Sequence, residues 1–421
     1  MPTNAKKIRI GGVSHDIEDT QARSDISALK SAVSTMERVI GEGDLSYAQI
    51  SAIVKGGQAA KYFKTGDQLT MKWSPDGANE YDMPWDIVAI APVINADGDE
   101  VPGLWLQSHW ALPGLQFDAS EALYYTSGGL NAGTYHFTIG TSWGTHCVSG
   151  KTYQFTLSNA VPAGGQICIA NNTNFYTWGA PDVNPSSWKA YTFSAFSTTP
   201  VEGPVAITEG SGGTDLGTTT SAIKYGTVTG INNLQRAAYG YNRDTHSAML
   251  QWLNSDAAAG SWQTQKNVFD RPAQQHATMR GFMAGLPSDF VDIINPVRVT
   301  TALNTVSDTD IGTSETYIAR FFLPSLEQEY IVPQISGVEG DYWPYWKDRL
   351  ELSSPQAQWD AGKNEHHIRY LISNHSSAQS VRLRSAIRGL AYYVWFVSTT
   401  GIASSYYATT ALAPAPACVI C

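Results

Sequence analysis

Ile26, Leu29, Val33, Met36 and Ile40 recur at spacings of 3, 4, 3 and 4, with Ser, Lys, Glu and Arg between them. This pattern predicts a helix over 17–45 whose apolar stripe is a coiled-coil seam of about two heptads. A seam so short is not stable alone, so it needs neighbours or the symmetry of an oligomer. β-branched residues at one seam position and Leu or Met at the other lean toward a dimer. The simpler reading is an amphipathic helix packed on its own domain.

A second helical period covers 45–63 and breaks at Gly56-Gly57. Beyond it the apolar pattern shifts to period two. GDQLTMKW and PWDIVAIAPVI read as strands, followed by a hairpin signal at Asp97-Gly98, and GLWLQSHW, TYHFTIGTSW, KTYQFTLSNA and QICIANN continue the series. Together they predict a mainly antiparallel β-domain from about 64 to 200. The Gly/Ser/Thr-rich stretch 202–220 then marks a domain boundary. After it the pattern is mixed. A short helix carries Ala248, Leu250, Trp252 and Leu253, LPSDFVDIINPVRVTTALN runs from a helix turn into a strand, and YWPYW (342–346), RLRSAIRG and a terminal VWFV hairpin follow. The expected organisation is an N-terminal oligomerisation or attachment helix (1–45), an antiparallel β-domain (46–205) and a C-terminal ligand-binding domain (206–421). The expected fold class is α+β and β-rich.

Length and charge narrow the function classes. The 421 residues suit two or three domains, and 27 basic against 37 acidic residues, a net charge of −10, argue against nucleic-acid binding. No run of 18 apolar residues exists, and MPTNAKKIRI lacks the apolar core of a signal peptide, so we expect a soluble protein without membrane insertion or ordinary export. The 13 Trp and 21 Tyr suit a β-rich protein with loops at a recognition surface.

Candidate chemistry is sparse. Cys147 and Cys168 could meet across a hairpin, although two buried free thiols is the favoured reading. Cys418 and Cys421 form a terminal C-x-x-C, which needs two further ligands to hold zinc. Gly140-Thr141-Ser142-Trp143-Gly144 matches the G-x-S-x-G nucleophile pattern, but its flanks alternate as strands where an elbow needs a following helix. Glu365, His366 and His367 lack metal-ligand spacing and read as a solvated loop. Asp97, Asp99 and Glu100 sit where a hairpin turn places polar residues anyway. No catalytic residue, metal or cofactor is expected.

The residues from Gly389 to Cys421 include no Asp, Glu, Lys, Arg, His, Asn or Gln, although the chain as a whole is 15% charged. Tyr, Ser, Thr and Ala crowd this segment. Such a composition is that of a binding surface, because Tyr offers rigid amphipathic area and Ser adaptable hydrogen bonding. A buried pair of terminal strands, with Tyr392, Tyr393, Trp395, Tyr406 and Tyr407 as ordinary β-formers, is the plainer alternative. Leu, Tyr, Phe, Ser, Ile, Thr and Ala are all reachable by changing the adenines of Asn codons, whereas Lys, Glu, Gln and Met are unreachable and absent.

In this property the segment resembles the variable region of proteins targeted by diversity-generating retroelements, and the order of elements from about 206 onward resembles C-type lectin-like domains of the formylglycine-generating-enzyme subtype. The resemblance implies a C-terminal C-type lectin-like domain with a hypervariable face. Ligand contacts would be Leu390, Tyr392, Tyr393, Phe396, Ser398, Ile402, Ser404, Ser405, Tyr406, Tyr407 and Thr410. Val394, Trp395, Val397 and Gly401 would be frame, since Trp is unreachable from an Asn codon through adenine changes.

YFKTGDQ, PWDIV, LQFDASEALYY, AGTYHFTI and VPAGGQ, in that order, resemble a domain of tail and surface proteins of gut-type phages, which implies a virion context and no chemistry. The enzymes behind the lectin subtype's name work through cysteines, here confined to CVIC at the end, and the Glu-Pro-Asn signature of calcium-dependent sugar binding is missing. The fold therefore does not carry those functions with it.

The function expected is that of a phage receptor-binding or adhesion protein, made in the host cytoplasm and carried on the virion. Its partners would be a host-surface receptor, protein or glycan, and other virion proteins. A homo-oligomer is expected, a trimer favoured because phage fibres usually are trimers. The alternative is a structural virion protein, a decoration or baseplate component, using the Tyr-rich end as an assembly interface. A glycan-active enzyme ranks third, as no paired carboxylates stand out in the β-domain.

Overall fold

The computed structural model describes residues 7–10, 13–16, 45–171, 175, 184–219, 234–308, 311–357 and 363–421. The predicted helix over 17–45, with its seam at Ile26, Leu29, Val33, Met36 and Ile40, lies outside the described residues but for position 45. The chain divides into two compact units, 1–53 and 54–421. In the first, strands Lys7–Ile10 and Val13–Asp16 pair antiparallel, an element the sequence reading did not anticipate. The helix Tyr47–Lys55 starts with a reciprocal cap, in which the Ser46 backbone N–H donates to Gln49 Oε1 (2.8 Å) and Ser46 Oγ accepts from the Gln49 N–H (3.3 Å).

The helix ends where Gly57 turns the chain with φ +67°, and a short helix Ala59–Tyr62 follows, as the broken period predicted. From there to the C-terminus the protein is β-rich with short helices, and its sheets are mostly antiparallel. Alternation builds the outer strands. Tyr153, Phe155 and Leu157 point inward from Thr152–Leu157 while the residues between them do not. Two four-stranded sheets, one holding 133–138 and 152–157 and the other 165–171 and 188–193, contribute Tyr135, Phe137, Phe155, Ile167, Ile169 and Trp188 to one buried cluster.

The stretch 202–219, read from sequence as a domain boundary, is built into the sheets. Strands Pro200–Ala206, Thr208–Glu209 and Thr214–Thr218 fasten it to both of these sheets, the last running parallel to Gly133–Thr138. Gly213 serves close backbone packing: with φ +73°, a Cβ there would stand 1.8 Å from the Thr134 carbonyl oxygen. Two five-stranded sheets likewise combine strands from both sides of residue 205. In one, Ala417–Ile420 lies between Phe321–Phe322 and Leu104–Ser108, with Tyr81–Ile90 and Gln68–Trp73 beyond. In the other, Ala411–Pro414 joins Leu115–Gln116 to Val381–Ala386, and the hairpin Tyr393–Val397/Ala403–Tyr407 completes the edge.

This placement settles several sequence motifs. Cys418 and Cys421 are buried in or beside a central strand, and burial raises both thiol pKa values. Cys147 and Cys168 are also buried, their thiols pushed up to about 12 and about 11 by burial. The 140–144 motif occupies the loop between two paired strands, with Ser142 Oγ accepting from the Ser149 N–H at 3.0 Å. His367 departs from the solvated-loop reading: it is buried, its Nε2 2.8 Å from Glu329 Oε2 and its ring against Trp346. No helix among the described residues is long and apolar enough to cross a membrane.

Candidate functional site

The Tyr-rich segment forms the edge hairpin of the second five-stranded sheet. Its register sets Tyr393 opposite Tyr407, Val394 opposite Tyr406, Trp395 opposite Ser405, Phe396 opposite Ser404 and Val397 opposite Ala403. Directly opposed residues share a face, so the hairpin has two distinct sides. Trp395, Val397 and Ala403 turn into a cluster with Leu326, Ile331 and Leu383. Val394 is fully buried on the other side. Gly401 sits at the tip with φ +79°, where a Cβ would come within 1.8 Å of the Asn364 carbonyl oxygen. Val394, Trp395, Val397 and Gly401 are all buried.

The expected contact residues do not form one patch. Leu390, Tyr392, Tyr393, Tyr406 and Tyr407 gather at the open end of the hairpin. Phe396 and Ser404 share the side of Val394. Ser398 and Ile402 frame the tip, joined by a bond from the Ser398 N–H to the Ile402 carbonyl (2.8 Å). Ser404 and Tyr406 are exposed, the latter at 45%. Leu390, Tyr393, Phe396, Ser398, Ile402, Ser405, Tyr407 and Thr410 are half-buried. Tyr392 is only 7% exposed and belongs to the buried cluster below, so it cannot offer the broad contact face expected of it.

At the open end the rings form a continuous aromatic wall. Tyr407 stacks on Tyr239 with centroids 3.6 Å apart and planes 10° apart, and Tyr393 and Tyr406 stand 5.0 and 4.8 Å from Tyr407. Trp143 packs edge-on against Tyr239 at 5.3 Å and lies 6.2 Å from Tyr392. Trp143 comes from the 138–152 loop and Tyr239 from the helix Leu234–Tyr239, so the wall joins three separated pieces of chain. The sequence reading missed both, because neither lies in the biased segment.

It also missed the side chains that hold the segment. Arg382 is completely buried and donates only to backbone carbonyls: Nη1 to Val394 (3.0 Å) and Tyr406 (3.4 Å), Nη2 to Tyr407 and Thr410 (3.0 Å each). Burial pulls its pKa down to about 9, while these oxygens favour the charged form. Asn242 does the same on the preceding loop. Its amide nitrogen lies 3.1, 2.7 and 2.8 Å from the carbonyl oxygens of Ile387, Leu390 and Tyr393, and its backbone N–H donates to Ala391. Gln116 Nε2 holds the Thr409 carbonyl at 2.8 Å. These bonds read the main chain and are indifferent to the side chains they carry. A signal did exist: in Arg382-Leu383-Arg384 a strand places Arg and Leu on opposite faces, and both faces proved to be buried.

Beneath the segment lies a buried ionic network. Arg236 pairs with Glu121 and lies over the Tyr241 ring at 3.5 Å. Burial first, then the carboxylates of Asp270 and Glu121, push Asp118 well above the usual range, and Asp270 is raised to about 7 by burial and Glu121. The β-domain thus does bring carboxylates together, but around a buried guanidinium. Asp244, raised to about 7 chiefly by burial, accepts from Tyr317 Oη, and Asp308 accepts from Tyr241 Oη. No group of three or more His, Cys, Asp or Glu among the described residues could hold a metal ion.

Residues 221–421 match the family model of a domain of unknown function (DUF6273). No curated protein and no solved structure matches the chain.

Proposed function

We propose that the chain is a phage virion receptor-binding or adhesion protein whose C-terminal hairpin displays a hypervariable ligand-binding surface on a C-type lectin-like frame. The observation that carries this reading is the way the segment is held. Arg382, Asn242 and Gln116 grip its carbonyl groups, so replacing Tyr393, Ser404, Tyr406 or Thr410 leaves every one of those bonds available. A segment composed, Trp395 apart, of residues reachable from Asn codons and anchored through its backbone is what diversification without unfolding requires. The aromatic wall would supply the energetic anchors, since Tyr and Trp are enriched among binding hot spots.

In this reading a homo-oligomer, a trimer by preference, gathers several such surfaces through the N-terminal seam, and its partners are a host-surface protein or glycan and neighbouring virion proteins. Avidity then raises weak single contacts by about 10²–10⁴. The test exchanges residues 389–412 for a differently diversified sequence and measures adsorption of phage, or of the purified oligomer, to a panel of host cells. A changed host pattern is expected. Adsorption that stays the same across the panel overturns the adhesin reading and makes the Tyr-rich end an assembly interface of a structural virion protein.

A further inference from the structure

A cavity of about 250 Å³, lined by none of the wall's residues, lies between the strand end at His109, the helix Pro344–Arg349 and the 365–375 loop. Its side chains are committed in a way that leaves one kind of ligand. His109 Nδ1 lies 2.9 and 3.0 Å from the two oxygens of Asp86, which also accepts from Tyr345 Oη at 3.0 Å. That carboxylate fixes the imidazole, leaving Nε2 for the cavity. Trp110 and His375 form a parallel pair at the rim, centroids 4.3 Å apart, and His375 is held at φ +53°, a conformation uncommon for a side chain other than Gly.

The charges are unequally satisfied. Glu365 is paired outward with Lys363 at 2.5 Å. Arg349 is exposed, commits Nε to the His366 carbonyl (2.8 Å), lies over the Tyr345 ring at 5.5 Å and has no ion-pair partner among the described residues. Arg369, also lining the cavity, is only 5% exposed. Its Nη1 donates to the Ser108 and His109 carbonyls, but Nε and Nη2 have no hydrogen-bond partner among the described residues. Buried guanidinium nitrogens without acceptors are rare enough to call for an explanation.

We propose that this cavity binds a single sugar ring bearing an anionic group, a carboxylate or a sulfate, with Arg349 on the anion and His109 and the Trp110–His375 rim around the ring. The volume falls below the roughly 300–1,000 Å³ of drug-sized pockets and suits one ring. The two nitrogens of Arg369 without a partner are closed off from the cavity, and its charge faces the carboxylates of Asp86 and Glu329. The site is independent of the hypervariable surface and stands or falls without it.

The full-length protein is titrated with D-glucuronic acid, with glucose 6-sulfate and with neutral D-glucose, followed by saturation-transfer NMR and tryptophan fluorescence. At least one acid should bind at least about tenfold more tightly than glucose, because a charge-assisted bidentate contact is worth that much. The acid preferred distinguishes carboxylate from sulfate. Arg349→Gln should remove the preference, and Arg349→Lys, which keeps the charge but loses the planar fork, should weaken it by a smaller factor with the fold intact. The proposal is overturned if neither acid binds, if glucose binds as tightly, or if both Arg349 variants behave as the parent.

Discussion

The segment 389–410 and the interior beneath it are held by opposite means. The segment has no ionisable acid or base other than its phenols, and it is gripped through carbonyl oxygens by Arg382, Asn242 and Gln116. The interior depends on which side chains meet: Arg236 with Glu121, Asp244 with Tyr317, Glu329 with His367. A backbone grip is blind to sequence, whereas a buried ion pair loses most of its value when one partner changes, because the other charge is left unpaired. Neighbouring parts of one molecule can therefore differ sharply in what they tolerate.

The sharpest way to break this comparison is at the hairpin itself. Trp395→Ala should destabilise by about 3–5 kcal/mol in denaturant unfolding, since the ring fills the cluster around Leu326 and Leu383. Arg382→Met should remove about 3 kcal/mol by leaving four carbonyls without their donor, and hydrogen exchange should quicken at Ala408, which follows Tyr407. An unchanged melt would show that the backbone grip is unimportant.

Tyr392 sharpens the boundary between the two regions, because its composition assigns it to display and its burial to the frame. Tyr392→Ser should cost about 2 kcal/mol, measured by thermal melting. If it behaves as an exposed site, the inner edge of the display region is misplaced.

Asp244 probes the interior through pH. Its folded pKa of about 7 lies above the ordinary value of 3.8, so its stabilising contribution is complete below about pH 4 and is lost as pH rises through 7. Asp244→Asn should flatten the decline in stability between pH 4 and 7, read from denaturant unfolding across that range. Identical slopes would place that titration elsewhere. The smallest effect belongs to the exposed positions: Ser404→Ala and Tyr406→Ser should each shift stability by less than about 0.5 kcal/mol. A fall equal to that of Trp395→Ala would erase the distinction between display and frame.

Much of the local structure was legible. The helix break at Gly56-Gly57, the Asp97-Gly98 turn, the strands at 68–73, 133–138 and 152–157 and the hairpin around Trp395 follow from periodicity and turn chemistry. The stretch 202–220 was misread because Gly, Ser and Thr are common to linkers and to strands in close backbone contact, and composition does not separate the two. His367 was misread because a histidine next to Glu and His looks solvated until Glu329, 38 residues away, is placed against it.

What the sequence determined by itself is what depends on neighbours along the chain: the alternation of strands, the turns, the absence of charge from the C-terminal segment, and the distinction between Trp395 and the small residues near it. What tertiary structure decided is everything that needs distant groups to meet. Only folding sets Ala417–Ile420 between strands from 104–108 and 321–322, puts Tyr239 on Tyr407, and aims Arg382 at four carbonyls. Each partnership is chosen by the burial of polar groups that must find one another away from water, and a polar residue's place in the sequence does not say which partner it will find.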